Sequence, residues 1–446
     1  MTTQSSVENF SPPIDTGGIS GHPRGLTTLF LTEMWERFGY YGMRALLILY
    51  MTAPLMRGGL GFDTAKAGSI YGLYTGAVYF MPLFGGWLAD RFFGARRAVL
   101  LGGIIISCGQ FSIALHTLAS FYVGLCLLAA GTGLLKPNIS AMVGALYSGN
   151  DERRDAGFSI FYMGINLGAF LSPFLCGYLG QQIAWQYGFA AAGIAMVIGL
   201  IQYQIGGRYL GNAGLKQNKN RSHEPLSDHP PLSQEEKRRL AVIVILAAFS
   251  ILFFMGLEQA GSSLNLFADR LTQHQLLGFS FPSSWLQSVG PIFVILLSPA
   301  FAWLWVKMGK RQPSSPFKFT LGLTFVGLGF VLLAIASTKT SAGLVSPLWL
   351  ILVYFIHTLG ELCLSPVGLS TVTKLAPGRM VGLMMGVWFF ATALGNYAAG
   401  RVGGFFQSSP GVLWRLFGMV ALVTLGAAVI LAMLTPFIKK LTPQGK

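Results

Sequence analysis

The stretch EMWERFGYYGMR, residues 33–44, places two acids and two bases in a segment that is otherwise uncharged from residue 26 to residue 54. At 100° per residue, Glu33, Glu36, Arg37, Tyr40 and Arg44 fall within about 100° of helical arc, with Tyr41 at its edge and Gly39 and Gly42 alongside. Outside this stretch the chain is unusually apolar. Of its 446 residues 53% are hydrophobic and 11% charged, against roughly 25% charged in a soluble domain. Runs of about 20 apolar residues, each long enough to cross a bilayer core as a helix, recur as far as Phe437. A soluble two- or three-domain protein is therefore excluded, and an all-α membrane protein is expected.

In that setting buried charges carry information. A charged side chain at the centre of a lipid-facing helix costs roughly 2.5–3.5 kcal/mol. Glu33, Glu36, Arg37, Arg44, Lys136, Glu258 and Glu361 all lie well inside predicted helices. Facing lipid, they would together cost on the order of 20 kcal/mol, more than a typical domain's whole stability. They must face one another or a water-filled cavity. Permanent structural ion pairs are the competing explanation, and in a soluble helix they would be the default. Inside a membrane the balance reverses towards function.

Hydropathy divides the chain into twelve predicted spans at 26–54, 64–90, 96–116, 120–146, 155–181, 186–208, 238–268, 282–307, 316–337, 347–374, 380–406 and 412–437. Residues 1–25 read as a polar cytoplasmic tail and 438–446 as a second one. Residues 209–237, with Lys216, Lys219, Arg221, Pro225, Pro230 and Pro231, read as a cytoplasmic linker too polar to bury a core of its own. Six spans precede the linker (26–208) and six follow it (238–437). The halves echo each other. Pro137 in GTGLLKPNIS matches Pro366 in LGELCLSPVGLS, and Asn166 follows the first by 29 residues as Asn396 follows the second by 30. Glu33 and Glu258 are 225 apart, close to the 229 between the prolines. Duplicated halves around a midplane site are the architecture of an alternating-access carrier. Lys136 and Glu361, opposite charges at mirrored positions, read as a pair that meets in one carrier state and parts in the other.

The net charge of +15 reports topology. Most of the 31 Lys and Arg fall in alternate loops and the two tails, which places both termini in the cytoplasm and implies no nucleic-acid partner. Cys108, Cys126, Cys176 and Cys363 lie inside apolar segments without metal-ligand spacing. GxSxG and Walker motifs are missing, so neither an enzyme nor ATP drive is expected. His357, one turn before Glu361, reads as a satisfied polar residue off the proton path.

The motif at 33–44 resembles the ExxERFxYYG signature of the proton-dependent oligopeptide transporter family, within the major facilitator superfamily. YFMPLFGGWLADRFFGARR, GTGLLKPNIS, FYMGINLGAF, LEQ and GELCLSPVGLS resemble further family motifs in order along nearly the whole chain. The resemblance implies a major facilitator fold of two pseudo-symmetric six-helix bundles. The short loops point to a multi-pass protein of a bacterial inner membrane, and a working monomer is expected. The resemblance also implies proton-coupled import of di- and tripeptides, driven by the proton gradient with no cofactor. Glu33, Glu36, Arg37 and Glu258 resemble the proton-coupling residues. Arg37, Lys136 and Tyr41 resemble the ligands of the peptide carboxylate, and Glu361 and Asn166 those of its amino group. Arg44 and Glu258 resemble one gate pair, with Lys136 and Glu361 as the other. Tyr40, Tyr79 and Trp388 match residues lining the central cavity.

Three departures stand out. Gly290 replaces an Asn of many bacterial members, and Gly72 a histidine that mammalian members tie to proton coupling. Two extra helices common between the halves of bacterial relatives are missing. The assignment makes physical sense, because a short peptide is a zwitterion whose constant ends need a cationic and an anionic site. Relatives moving nitrate, a modified amino acid or a peptide-like drug are the alternative. Glu361 argues against small anions, which a fixed carboxylate would repel.

Overall fold

The computed structural model describes residues 15–147, 151–215 and 232–441. The linker residues 216–231 and most of the two predicted tails lie outside the described residues. Fourteen α-helical segments make up most of the described chain: α1 Arg24–Thr52, α2 Thr64–Phe80, α3 Pro82–Leu88, α4 Ala95–Ala114, α5 Leu118–Ala145, α6 Arg154–Ser172, α7 Trp185–Gly206, α8 Gln234–Leu257, α9 Ser263–Leu271, α10 Val289–Met308, α11 Ser315–Lys339, α12 Leu348–Leu375, α13 Val381–Gly403 and α14 Pro410–Leu441. Among the described residues ten helices are long and apolar enough to cross a membrane.

Two predicted spans fall outside those ten for visible reasons. Helix α1 is 29 residues long but carries the charge stripe. The predicted helix at 64–90 is interrupted after Phe80, because Pro82 has no amide hydrogen to give back to the preceding turn. Two other predicted helices are also less regular than expected. The one at 155–181 continues to Ile183 through two π-helical turns that begin at Pro173. The one at 238–268 unwinds at Glu258 into a 3₁₀ turn, Glu258–Gly261, before α9 resumes. The all-α expectation holds, with one short β feature beside the helices. Residues Gln275–Leu276 and Phe279–Ser280 form a two-stranded hairpin, which turns through Leu277 and Gly278, both at positive φ.

Packing places α1 at the centre. It lies against α6 and α7 on one side and touches α2 and α9 on the other, and no residue beyond Arg24 is exposed. Glu33, Glu36, Arg37 and Arg44 are all buried, which keeps these charges away from lipid. Helix α4 packs on α5 and α7, and α11 packs on α12 and α14. Helices before and after residues 216–231 meet chiefly where α2 crosses α13 and where α6 approaches α10. The α2–α13 crossing is backbone against backbone. A Cβ on Gly72 would sit 2.5 Å from the Tyr397 carbonyl oxygen and 3.2 Å from the Gly400 Cα. No side chain fits at position 72 in this arrangement, which gives a packing reason for glycine where the resembling family's mammalian members carry histidine.

Candidate functional site

Two polar clusters hang from α1, and the helix rise of 1.5 Å per residue puts Arg37 and Arg44 about 10 Å apart along its axis. In the first cluster the Arg37 Nε lies 3.2 Å from Glu33 Oε1 and is also paired with Glu36. All three side chains are at most 3% exposed. One guanidinium thus serves two carboxylates. Glu33 Oε2, Glu36 Oε1, Arg37 Nη2 and the Tyr40 hydroxyl are left buried without a hydrogen-bond partner. The Arg37 guanidinium lies 5.1 Å from the centre of the Tyr40 ring. Such a set is costly unless something else enters to complete it.

In the second cluster Arg44 Nη2 meets Glu258 Oε2 at 2.6 Å. The carboxylate oxygen accepts no well-angled hydrogen bond, so this is a contact of charges. The Arg44 Nε donates to the Tyr71 hydroxyl at 2.7 Å, and its guanidinium stands over the Tyr41 ring. Glu258 stands where α8 ends and the 3₁₀ turn Glu258–Gly261 begins.

A cavity of about 110 Å³ opens beside this pair. Tyr41, Arg44, Asn166, Glu258 and Glu361 line it, as five of the residues singled out in the sequence. Asn166 donates its amide to the Tyr162 carbonyl at 3.1 Å, which leaves its own oxygen available. Among the described residues neither Lys136 nor Glu361 takes part in an ion pair. Lys136 instead sets its ammonium 4.0 Å above the Tyr79 ring. Of the two expected gate pairs, one is closed and the other apart.

The remaining sequence candidates are divided. Glu33, Glu36, Arg37, Tyr40, Tyr79 and Lys136 stand outside the lining of this cavity. Trp388 does too: its ring is 3% exposed, packed edge-on against Phe254 and Phe319 over Gly368. Tyr40, Tyr79 and Trp388, expected along the central cavity, thus stand outside this lining in this conformation, the Trp388 ring filling a gap between α8, α11 and α12. His357 lines the cavity, although sequence reasoning set it aside. It is buried against Phe330, and both ring nitrogens lack a hydrogen bond. Among the described residues no three His, Cys, Asp or Glu side chains converge as metal ligands would.

Several contributors were missed. Tyr71 holds Arg44, and Gln287 donates to the Ala260 carbonyl at 2.6 Å and to the Tyr354 hydroxyl at 3.2 Å. The larger omission is a hydrogen-bonded seam at the end of the molecule where α1 finishes. There the π-helical continuation of α6 meets residues Ser283–Ser288. The Gln181 amide donates to Ser283 Oγ at 2.7 Å and to Asp269 at 3.3 Å, and its oxygen accepts the Ser284 N–H at 3.0 Å. Trp285 donates to the Phe174 carbonyl and Ser288 to that of Phe170. Polar residues within apolar runs were the signal available for Tyr71 and Gln287. Gln181 and Ser283 looked like ordinary span ends. Above the seam lies a recess of about 930 Å³, lined in part by Arg57, His116, Arg270 and His274.

Removing Gln181 tests how far the seam holds this end shut. Gln181→Ala deletes three hydrogen bonds worth about 0.5–1.5 kcal/mol each. Amide hydrogen exchange across 174–183 and 283–288 should then rise by at least about tenfold. Unchanged exchange would mean the seam is incidental to closure.

The chain is similar in sequence and in overall structure to known proteins. The sequence model of the POT family matches residues 96–223 and 231–419. The chain is 38% identical over 488 residues to the peptide transporter YePEPT of Yersinia enterocolitica subsp. palearctica, covering 94% of this chain and 95% of that one. It is 35% identical over 482 residues to a di-/tripeptide transporter of Lactococcus lactis subsp. cremoris, covering 94% and 97%. Among solved structures, a mutant of peptide transporter POT in complex with alafosfalin superposes with a TM-score of 0.89 at 39% identity, covering 97% of this chain and 98% of that one.

Proposed function

This chain belongs to the POT family, and we propose that it is a proton-coupled symporter importing di- and tripeptides by alternating access. The observation that carries the reading is the state of the two opposed pairs. Arg44 and Glu258 are in contact, while Lys136 and Glu361 are free of one another. A carrier closed on one side and released on the other has this pattern.

In this reading twelve spans, α1 and the broken α2–α3 among them, form a six-helix bundle before the linker at 209–237 and another after it. Both termini lie in the cytoplasm of a bacterial inner membrane, and the monomer is the working unit. Arg44 with Glu258 closes the extracellular side, and Lys136 with Glu361 closes the cytoplasmic side. The peptide carboxylate goes to Arg37 and Lys136, with Tyr41 adding a hydroxyl. Its ammonium goes to Glu361 and Asn166. Once the bundles move, Tyr40, Tyr79 and Trp388 line the remainder. The proton passes through Glu33, Glu36, Arg37 and Glu258, and the gradient is the sole energy source, with no cofactor.

Uptake of a labelled dipeptide into proteoliposomes tests the substrate class, with unlabelled dipeptide, nitrate, a free amino acid and a peptide-like drug as competitors. Competition by the dipeptide alone, or by the dipeptide and the drug, supports the reading. Competition by nitrate or the free amino acid as strong as that of the peptide would move this chain to another substrate of the family.

A further inference from the structure

Along the outside of the α1–α7 pair runs a groove of about 610 Å³ that shares no residue with the central cavity. Its wall on α7 is a stripe of isoleucines. Ile198, Ile201 and Ile205 line the groove, Ile194 continues the same helical face beyond it, and all four are exposed. The polar side chains in the groove are already engaged. The Gln202 oxygen accepts from the Thr32 hydroxyl at 3.0 Å, and its nitrogen donates to the Thr28 carbonyl at 3.3 Å. The Thr27 hydroxyl accepts the Ile19 N–H at 3.2 Å, and that of Thr28 donates to the Gly206 carbonyl.

One end of the groove is different. Arg24 and Tyr209 line it there, where α1 begins and the 3₁₀ turn Gly207–Leu210 follows α7. The Arg24 guanidinium lies 5.3 Å from the centre of the Tyr209 ring, and that of Arg208 4.7 Å from it. Asp15 pairs with Arg24 at 3.3 Å, whereas Arg208 has no ion-pair partner among the described residues. Surplus positive charge thus sits at the head of an exposed apolar strip, at the end of a segment long and apolar enough to cross a membrane.

We propose that this groove is a binding site for an anionic phospholipid, with the phosphate at Arg24 and Arg208 and one acyl chain along the isoleucine stripe. Basic pockets between membrane helices take anionic headgroups at the cytoplasmic side, the side to which the positive-inside reading assigns this end. Guanidinium groups donate to a phosphate in a fixed fork, and a hydrocarbon chain covers the isoleucines without asking for a hydrogen bond. A peptide is the wrong occupant, because polar atoms already engaged would leave its backbone groups unpaired.

Native mass spectrometry of the full chain, purified with equimolar dioleoyl phosphatidylglycerol and dioleoyl phosphatidylcholine, tests the site. Two guanidinium groups, offset in part by Asp15, predict one retained phosphatidylglycerol, preferred about tenfold over phosphatidylcholine. Arg24→Gln combined with Arg208→Gln should cut that preference to about twofold or less, while Arg24→Lys with Arg208→Lys, which keeps the charge, should hold it within about threefold. Ile201→Trp fills the groove without touching the charges and should lower phosphatidylglycerol retention by at least about fivefold. Equal retention of both lipids, a preference untouched by the glutamine pair, or a loss as large in the lysine pair would overturn the proposal. Loss in the glutamine pair with full retention in Ile201→Trp would reduce the site to a basic surface patch and overturn the groove. A second copy of the chain retained in place of lipid, and released by Ile201→Trp, would overturn it as well.

Discussion

In the Glu258→Gln variant, gradient-driven accumulation of peptide should disappear while exchange of peptide for peptide survives. Seven charges line the proposed path, four carboxylates (Glu33, Glu36, Glu258, Glu361) and three cations (Arg37, Arg44, Lys136), so the empty site carries one surplus negative charge. A low-dielectric cavity relieves that surplus most readily by binding a proton. The proton settles where a carboxylate's cation can leave. Arg44 fits, because its 2.6 Å contact with Glu258 must break whenever that side opens, and Tyr71 remains to hold the guanidinium. Once the proton is released to the other side, Arg44 re-pairs and closes the gate. Glutamine imitates the protonated state permanently, so the cycle turns over without requiring a proton. A pH difference of one unit is worth 1.36 kcal/mol per proton, about tenfold accumulation, and the variant should fall to about onefold. Exchange rates within a few-fold of the unmodified protein would exclude simple misfolding. If the variant still concentrates peptide, coupling resides in Glu33 and Glu36, whose unpartnered oxygens make them the next candidates.

Glu361→Gln should instead abolish binding of free dipeptides and weaken less the binding of peptides with a blocked amino end. Glu361 lines the cavity without an ion-pair partner among the described residues, so its carboxylate is open to an incoming ammonium. A hydrogen bond to a charged group contributes about 1.5–3 kcal/mol, or about 10- to 150-fold in affinity. Calorimetric titration with Ala-Ala and with N-acetyl-Ala-Ala separates the two cases. Equal loss for both ligands would remove the amino-end role from Glu361.

How far these residues could be read in advance depends on what kind of signal each one leaves. Charges in an apolar helix stand out whatever the fold, so the α1 stripe, Lys136, Glu258 and Glu361 were legible, and so was the Arg44–Glu258 contact. Facing was not. Trp388 has the composition of a cavity aromatic, but its position against Phe254 and Phe319 is decided by how α8, α11 and α13 lie. The unwinding at Glu258 was equally hidden: Glu258, Gln259, Gly261, Ser262 and Ser263 interrupt the apolar run, but polar and small residues in a span do not by themselves mark where a helix breaks. Lys136 resting on Tyr79 is a contact between segments 57 residues apart, which periodicity cannot supply. The seam at Gln181 was missed because glutamine and serine at a span end are ordinary until a partner from the other half of the chain is placed opposite them.

Coupling itself is most directly tested by the proton. Proteoliposomes loaded with a pH-sensitive dye and clamped at zero membrane potential should acidify inside when Ala-Ala is added outside. The account predicts acidification with Ala-Ala, no response to nitrate, and no response to Ala-Ala in Glu258→Gln. Dipeptide entering the unmodified protein with no movement of protons would contradict it.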